Sequence, residues 1–145
     1  MDRETMLHKE IDLIQSIISR MANNSFLLKG WLISLIAIFF ALTIDSVMVN
    51  KPVYFGAILS LIVIVFWYLD AFFVHKEKCY RELYNWVIEN RKNTDNYLYN
   101  LNCTRFEKQV SCILKIMFSK TLCVFYGSMF SILAGFAIYK GVCNG

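Results

Sequence analysis

The longest apolar stretch of this sequence is VYFGAILSLIVIVFWYLDAFFV, residues 53–74. Two further stretches have the same character, LLKGWLISLIAIFFALTI at 27–44 and TLCVFYGSMFSILAGFAIY at 121–139. Only Lys29 and Asp70 carry charge within them, each near one end. A helix of roughly 20 apolar residues crosses a bilayer core about 30 Å thick, so each stretch is long enough to span it. The sequence therefore predicts an all-α integral membrane protein with three transmembrane helices.

The basic residues are distributed unequally about these stretches. Thirteen of the fifteen Lys and Arg residues precede or open the first stretch, or fall between the second and the third. Only Lys51 and Lys140 lie elsewhere. Because basic residues accumulate on the cytosolic side of membrane proteins, we expect a cytosolic N-terminus and an external C-terminus.

Four segments follow from this topology. We predict a cytosolic amphipathic helix over residues 1–28, a transmembrane hairpin over 29–75, a cytosolic helical hairpin over 76–120 and a third transmembrane helix over 121–140. The second span contains no Pro after Pro52, which suits a helix start, and only Gly56 before Arg91. It is therefore expected to continue past the bilayer as one rod, and with the N-terminal helix to form a cytosolic helical region.

The N-terminal helix carries an apolar stripe that needs a partner. Leu7, Ile11, Ile14 and Ile18 recur at helical spacing. The stripe could pack on another subunit, on the middle segment or on the membrane surface; we favour helix–helix packing, because the polar face mixes acids and bases. The residues Asn23-Asn24-Ser25 interrupt the stripe and could cap a new helix near Phe26.

Loops are predicted from local composition. Asp45–Pro52 is expected to be a short external loop, and the Asn-rich segment Asn90–Asn102 a cytosolic one. Helical periodicity then resumes over Arg105–Lys120.

The residues of catalysis and metal binding are not grouped in this sequence. His8 and His75 are far apart, and no phosphate-binding loop, nucleophile elbow or HExxH motif is present. The five cysteines show no CxxC spacing, which favours free thiols over a zinc site or disulfides. We therefore expect a protein that is not an enzyme and that has neither a metal nor a cofactor.

Small residues recur at four-residue spacing within the apolar stretches. They are Gly30 and Ser34 in the first stretch and Gly127, Ser131 and Gly135 in the third. In lipid, such ridges let helices approach closely. They could pack within one subunit or between subunits; with the N-terminal stripe, they favour a closed homo-oligomeric ring, for which we expect a tetramer.

Asp70 is the one acid within a span. A charge at that depth is costly unless it is paired or hydrated. Lys29 and Lys120 are expected at the same level on the neighbouring helices, so a structural ion pair is one interpretation and a charged ring at a pore mouth the other.

Aromatic and basic side chains alternate in the middle segment. Cations beside aromatic rings suit a nucleotide or a single strand, whereas the simpler interpretation is a helical hairpin that packs its aromatic rings against the N-terminal helix. The candidate ligand-binding residues are Arg81, Tyr84, Arg91, Lys92, Arg105 and Lys108.

Four blocks of the sequence resemble small bacterial membrane effectors of anti-phage systems. They are Asn24-Ser25-Phe26-Leu27-Leu28-Lys29-Gly30-Trp31, Phe66-Trp67-Tyr68-Leu69-Asp70, Tyr80-Arg81-Glu82-Leu83-Tyr84 and Phe118-Ser119-Lys120-Thr121-Leu122. The group is similar to the SLATT effectors, which usually have two spans where this chain has three, and to the channel subunits of Hailong systems.

The resemblance implies a function that the residue patterns do not show. It implies an oligomeric ion channel of the bacterial inner membrane, with a periplasmic C-terminus, whose opening depolarises the cell during phage defence. A nucleotide or a single-stranded DNA oligomer would set the gate, and a nucleotidyltransferase or a TIR-type enzyme would be the partner. The alternatives are a non-conducting membrane anchor that recruits a cytosolic protein, and a free-standing membrane-disrupting toxin.

Overall fold

A computed structural model of the chain describes residues 3–44, 52–91 and 93–143, and within these ranges it is helical without strands. The predicted loop residues 45–51 lie outside the described residues. The elements are α1 (Arg3–Ile44), α2 (Pro52–Asn90), a 3₁₀ turn (Thr104–Phe106), α3 (Ile113–Met117) and α4 (Lys120–Cys143). Helices α1, α2 and α4 are each long and apolar enough to cross a membrane, which is consistent with a membrane location.

Helix α2 organises the fold. It runs unbroken through 39 residues, as its sequence predicts, and is about 58 Å long at 1.5 Å per residue. This is about twice the thickness of a bilayer core. Its first half packs with α1 and α4 in an apolar bundle, whose core includes Leu32, Val63 and Leu133. Its second half packs with the start of α1 and with residues 93–112; we call this part the polar head.

The apolar stripe of α1 is covered within the subunit. Ile14 is fully buried, and Leu7, Ile11 and Ile18 pack around it against α2 and the segment that contains the 3₁₀ turn. Helix–helix packing is therefore the arrangement that this stripe adopts. Because the stripe already has a partner within the subunit, with Ile14 fully buried and the other three residues partly buried, it no longer requires a second subunit to cover it, and the ring prediction loses that part of its basis.

The expected helix break at Asn23-Asn24-Ser25 is wrong, because α1 continues through it without interruption. The Ser25 hydroxyl does not cap a new helix; it donates to Asp70 of α2. Ser and Asn lower helix stability by only about 0.5 kcal/mol each relative to the best helix formers, and the packing of α1 along α2 exceeds that penalty. The boundary predicted at residues 28 and 29 is thus not a boundary between helices.

The second arm of the predicted cytosolic hairpin is also different. Helix α2 ends at Asn90, where the Asn-rich loop was expected, but a helix does not resume at Arg105; only the 3₁₀ turn and α3 form. Asn100 and Asn102 accept backbone N–H bonds from the residues two positions ahead through their side-chain oxygens. Such local bonds compete with helix formation. The apolar side chains of this segment still reach the core, as Phe106 and Ile116 are buried.

Candidate functional site

A buried ionic hub joins the three apolar helices. Asp70 of α2 is fully buried, and its Oδ1 accepts a hydrogen bond from Ser25 of α1. Its Oδ2 lies 2.5 Å from Lys29 Nζ of α1 and 3.1 Å from the hydroxyl of Tyr126 on α4. Trp67 stacks on the Tyr126 ring at 5.6 Å between centroids. One carboxylate thus binds side chains from both neighbouring helices.

The ionic hub contains two of the three charged candidate residues of the bundle. The structure brings Lys29 and Asp70 together, but Lys120 is exposed and takes no part in the pair. Because the charges of Lys29 and Asp70 neutralise each other inside the subunit, neither is available as a bare charge at the surface of the bundle. A pore-mouth ring would require this pair to open.

A second buried ion pair closes the polar head. Arg91, at the end of α2, is 2% exposed, and Glu10 of α1 is 1% exposed. Arg91 Nε lies 2.6 Å from Glu10 Oε2, and Arg91 Nη2 lies 2.7 Å from Glu10 Oε1. The other N–H groups of the guanidinium donate to the carbonyls of Thr94, Asn96 and Tyr97. All five donors are used, so Arg91, predicted to bind a ligand, holds the loop instead.

The loop around Arg91 has an unusual backbone. Tyr97 and Tyr99 have φ angles of 61° and 56°, in the left-handed region that bulky residues rarely adopt. The strain is offset by hydrogen bonds, since the Tyr99 N–H donates to Glu10 and the Tyr97 carbonyl accepts from Arg91. The Glu10–Arg91 pair therefore sets the course of the chain from residue 93 to residue 100.

Arg105 forms the most distinctive exposed group of the head. Its guanidinium carbon lies 4.2 Å from the centroid of the Trp86 ring, 4.6 Å from that of Tyr97 and 4.8 Å from that of Phe106. The side chain is exposed, and among the described residues no carboxylate forms an ion pair with it. We call Arg105 with its three rings the arginine stack. It presents a positioned cation and aromatic surface to the solvent.

The remaining candidate ligand-binding residues are divided between two places. Arg81 and Tyr84 line a groove of about 390 Å³ between α1 and α2, where Tyr84 also accepts a hydrogen bond from Gln15. Arg81 is paired with Glu77 at 2.7 Å. Lys108 is exposed and unpaired among the described residues, and Lys92 lies outside the described residues. The six residues therefore do not form one site.

Several contacts tie residues 103–111 to α2. Lys76 Nζ lies 2.5 Å from Glu107, and the hydrogen bond from Lys76 holds the pKa of the Glu107 carboxyl below its ordinary value. His75 contacts the Ser111 carbonyl at 3.1 Å. Burial raises the pKa of the Cys79 thiol to about 11, which disfavours the reactive thiolate at neutral pH. Within the described ranges, no group of His, Cys, Asp or Glu residues could hold a metal ion.

The small-residue faces of the bundle point away from the core. A Cβ built on Gly30, Gly127 or Gly135 would meet no atom within 4 Å. Ser34 and Ser131 are exposed, and each hydroxyl donates to the carbonyl four residues earlier on its own helix. These ridges are therefore not used for packing within the subunit.

Sequence reasoning missed two residues that complete these arrangements. Glu10 was not identified as the partner of Arg91, although an acid among the apolar positions of an amphipathic helix is a usable signal. Tyr126 was not connected with Asp70, although a tyrosine within an apolar span needs a hydrogen-bond partner.

A comparison of the chain with protein-family models, with curated proteins and with solved structures found no match. The resemblance to anti-phage effectors thus stays a prediction from the sequence blocks, and the geometry of the chain is the basis for a functional proposal.

Proposed function

We propose that this chain is one subunit of an oligomeric ion channel of the bacterial inner membrane, gated by an anionic nucleotide or oligonucleotide. The observation that carries the proposal is the open position of the small-residue ridges on α1 and α4. In lipid, close approach at Gly and Ser is a main source of helix association. A ridge that the subunit does not use itself is suited to a second copy of the same chain.

A pore in this proposal lies between subunits. Within one subunit, α2 packs against both α1 and α4, and the rings of Phe40 and Phe136 meet at 4.7 Å between centroids. At that level, aromatic side chains occupy the space between α1 and α4. Several copies arranged around an axis would enclose a path, and the exposed hydroxyls of Ser34 and Ser131 would supply polar groups near it.

Gating would be transmitted along α2. The same helix carries Trp86 of the arginine stack in the head and Asp70 of the ionic hub in the bundle. Between them the helix is unbroken, so a displacement in the head reaches the bundle without loss in a flexible linker. A ligand moves such a gate only by the difference between its affinities for the two states.

The arginine stack is the proposed ligand contact. Its cation can meet a phosphate, and the rings of Trp86 and Tyr97 can stack with a base, a combination typical of proteins that bind single strands. A phage-defence role, with a nucleotidyltransferase or TIR-type enzyme as the source of the signal, is the setting that the sequence resemblance implies.

The test is conductance of the purified full-length chain in planar bilayers, with a short single-stranded DNA oligomer and a mononucleotide as probes. We expect wild-type conductance to change when one of these probes is added, and Gly135→Leu to abolish assembly and conductance together. Arg105→Gln should remove the response to the probe, whereas Arg105→Lys, which keeps the charge but not the planar stack, should weaken it. Arg20→Gln, at an exposed arginine of α1 outside the stack, is the matched control.

Three outcomes would contradict the proposal. A chain that never conducts in any assembled state would favour the membrane anchor. Conductance that ignores both probes and kills cells without a partner enzyme would favour the toxin. A monodisperse monomer in mild detergent would exclude the oligomeric channel.

Binding of the single-stranded DNA oligomer should also weaken as salt is added. The logarithm of the binding constant should fall against the logarithm of the salt concentration with a slope of about −0.7 per neutralised phosphate.

A further inference from the structure

The short helix α3 (Ile113–Met117) has two contrasting faces. Ile116 and Met117 are buried against α2 and α4, at 2% and 9% exposure. On the opposite side, Leu114 is 65% exposed and Phe118, which follows the helix, is 67% exposed. Two large apolar side chains four residues apart are thus mostly exposed directly before the apolar helix α4 begins at Lys120, with one edge contact of the Phe118 ring to Trp67 at 5.5 Å between centroids.

Contacts with α2 give the depth of this segment along the bundle. Before the helix, the Ser111 carbonyl contacts His75, and at its end the Met117 carbonyl accepts a hydrogen bond of 2.9 Å from Trp67 Nε1. His75 and Trp67 are eight residues apart on α2, about 12 Å along its axis. Trp67 lies within the apolar stretch, beyond Asp70 from the head. The segment therefore descends from the polar head to the level where the apolar bundle begins.

The charges beside the exposed face are all positive. From Lys108 to Lys120 the sequence contains three lysines and no acid. Lys115 and Lys120 are exposed, and neither forms an ion pair within the described residues. Apolar side chains at the depth of the acyl boundary, with cations next to them, are the composition of an interfacial membrane helix.

We propose that α3 and its flanking residues form an interfacial anchor that binds anionic phospholipids. Leu114 and Phe118 insert among the upper acyl chains, while Lys115 and Lys120 bind the phosphates of the headgroups. The bilayer is the occupant because the exposed face is continuous with α4 and lies at the edge of the apolar bundle. The inference rests on the membrane insertion included in the proposed function, but not on conduction.

Lipid binding is tested on the full-length chain in detergent, with phosphatidylglycerol and phosphatidylcholine as probes and native mass spectrometry as the readout. Each lysine near an anionic surface contributes roughly five-fold to binding, so the double variant Lys115→Gln/Lys120→Gln should bind phosphatidylglycerol about thirty-fold more weakly. Its binding of phosphatidylcholine should not change. Lys78→Gln, at an exposed lysine of the head, is the control and should leave both unchanged.

The depth of the exposed face of α3 in the bilayer is tested in nanodiscs, with a fluorescent label that brominated acyl chains quench. A label at Leu114→Cys should be quenched, and a label at Lys78→Cys should not. Val124→Cys, at a 74% exposed position of α4, reports insertion of the bundle itself. Quenching at position 124 without quenching at position 114 would overturn the anchor and leave the membrane insertion intact, because the face would then be in water or covered by another copy.

A further experiment tests whether the lysines bind the headgroup of a lipid or free phosphate. Inorganic phosphate, added against chloride of equal ionic strength, should not displace phosphatidylglycerol. Displacement by free phosphate would overturn the lipid assignment, as would unchanged phosphatidylglycerol binding in the double variant.

Discussion

Removal of Glu10 should release the loop of the polar head. In Glu10→Ala, the guanidinium of Arg91 stays buried without its carboxylate, and breaking a buried ion pair from one side costs about 3–5 kcal/mol. The loop also contains two left-handed tyrosines, which cost roughly 1–2 kcal/mol each. The two quantities are similar, so without the pair the strained backbone of Tyr97 and Tyr99 loses most of what holds it in place.

Limited proteolysis measures this release directly. Chymotrypsin cuts after tyrosine, and cleavage follows the population of the open loop when opening and closing are fast. A loss of 3–5 kcal/mol raises that population by about two to four orders of magnitude. We therefore expect cleavage at Tyr97 and Tyr99 to be at least about a hundred times faster in Glu10→Ala than in the wild type.

The exposed ion pair between the same two segments provides the control. Arg3 and Asp95 lie 3.1 Å apart, with side chains 54% and 59% exposed. Such pairs contribute about 0–1 kcal/mol, so Asp95→Asn should speed cleavage by no more than about five-fold. Equal cleavage rates in Glu10→Ala and Asp95→Asn would refute the reasoning, because burial would then make no difference to the strength of the pair.

Three further predictions follow from contacts of the head and the bundle. The pKa of Glu107 is lowered by Lys76, so this tether stabilises the fold above the ordinary carboxyl pKa of 4.5 and is lost as pH falls through the lowered value. Residues 104–111 should lose protection against amide hydrogen exchange there, measured relative to the intrinsic rate at each pH, and unchanged protection down to full protonation would contradict the prediction. Asp70→Asn should lower the free energy of unfolding of the chain in detergent by about 3–5 kcal/mol, and adding Lys29→Met to that variant should recover part of the loss. An unchanged free energy of unfolding in both variants would show that the hub does not stabilise the fold. In sealed cells an impermeant maleimide should label exposed Cys112 only after permeabilisation, whereas Cys103, 3% exposed, should stay unlabelled in both states; labelling of Cys112 in intact cells would reverse the expected topology.

The features that the sequence predicted well depend on patterns within one continuous stretch of the chain. The three apolar helices, the unbroken α2 and its end at Asn90 follow from the length of apolar runs, the absence of Pro and the clustering of Asn. The continuity of α1 was missed because Asn23-Asn24-Ser25 is a cap signal locally. Only a contact with Asp70, 45 residues away, shows why Ser25 stays within a helix.

The candidate site was harder to predict, because the role of a basic side chain depends on partners distant in sequence. Arg91 and Arg105 look alike in the chain, each near aromatic residues. Glu10, 81 residues from Arg91, removes that arginine from solvent, and no described acid does the same for Arg105. Periodicity could place Glu10 on α1 but could not show that it faces the end of α2.

The ionic hub makes the two ends of the helical bundle mechanically unequal. At the level of Asp70, charged and hydrogen-bonded groups fix the spacing of α1, α2 and α4, whereas near Phe40 and Phe136 the described contacts are between apolar rings. Ring contacts can slide, but an ion pair in a low-dielectric region resists separation. Changes in bilayer thickness or lateral pressure, which tilt membrane helices, would therefore spread the bundle at the end remote from the head. The three helices would therefore stay at a fixed spacing at the level of Asp70, and a change in the bilayer would separate them first at the opposite end, near Phe40 and Phe136.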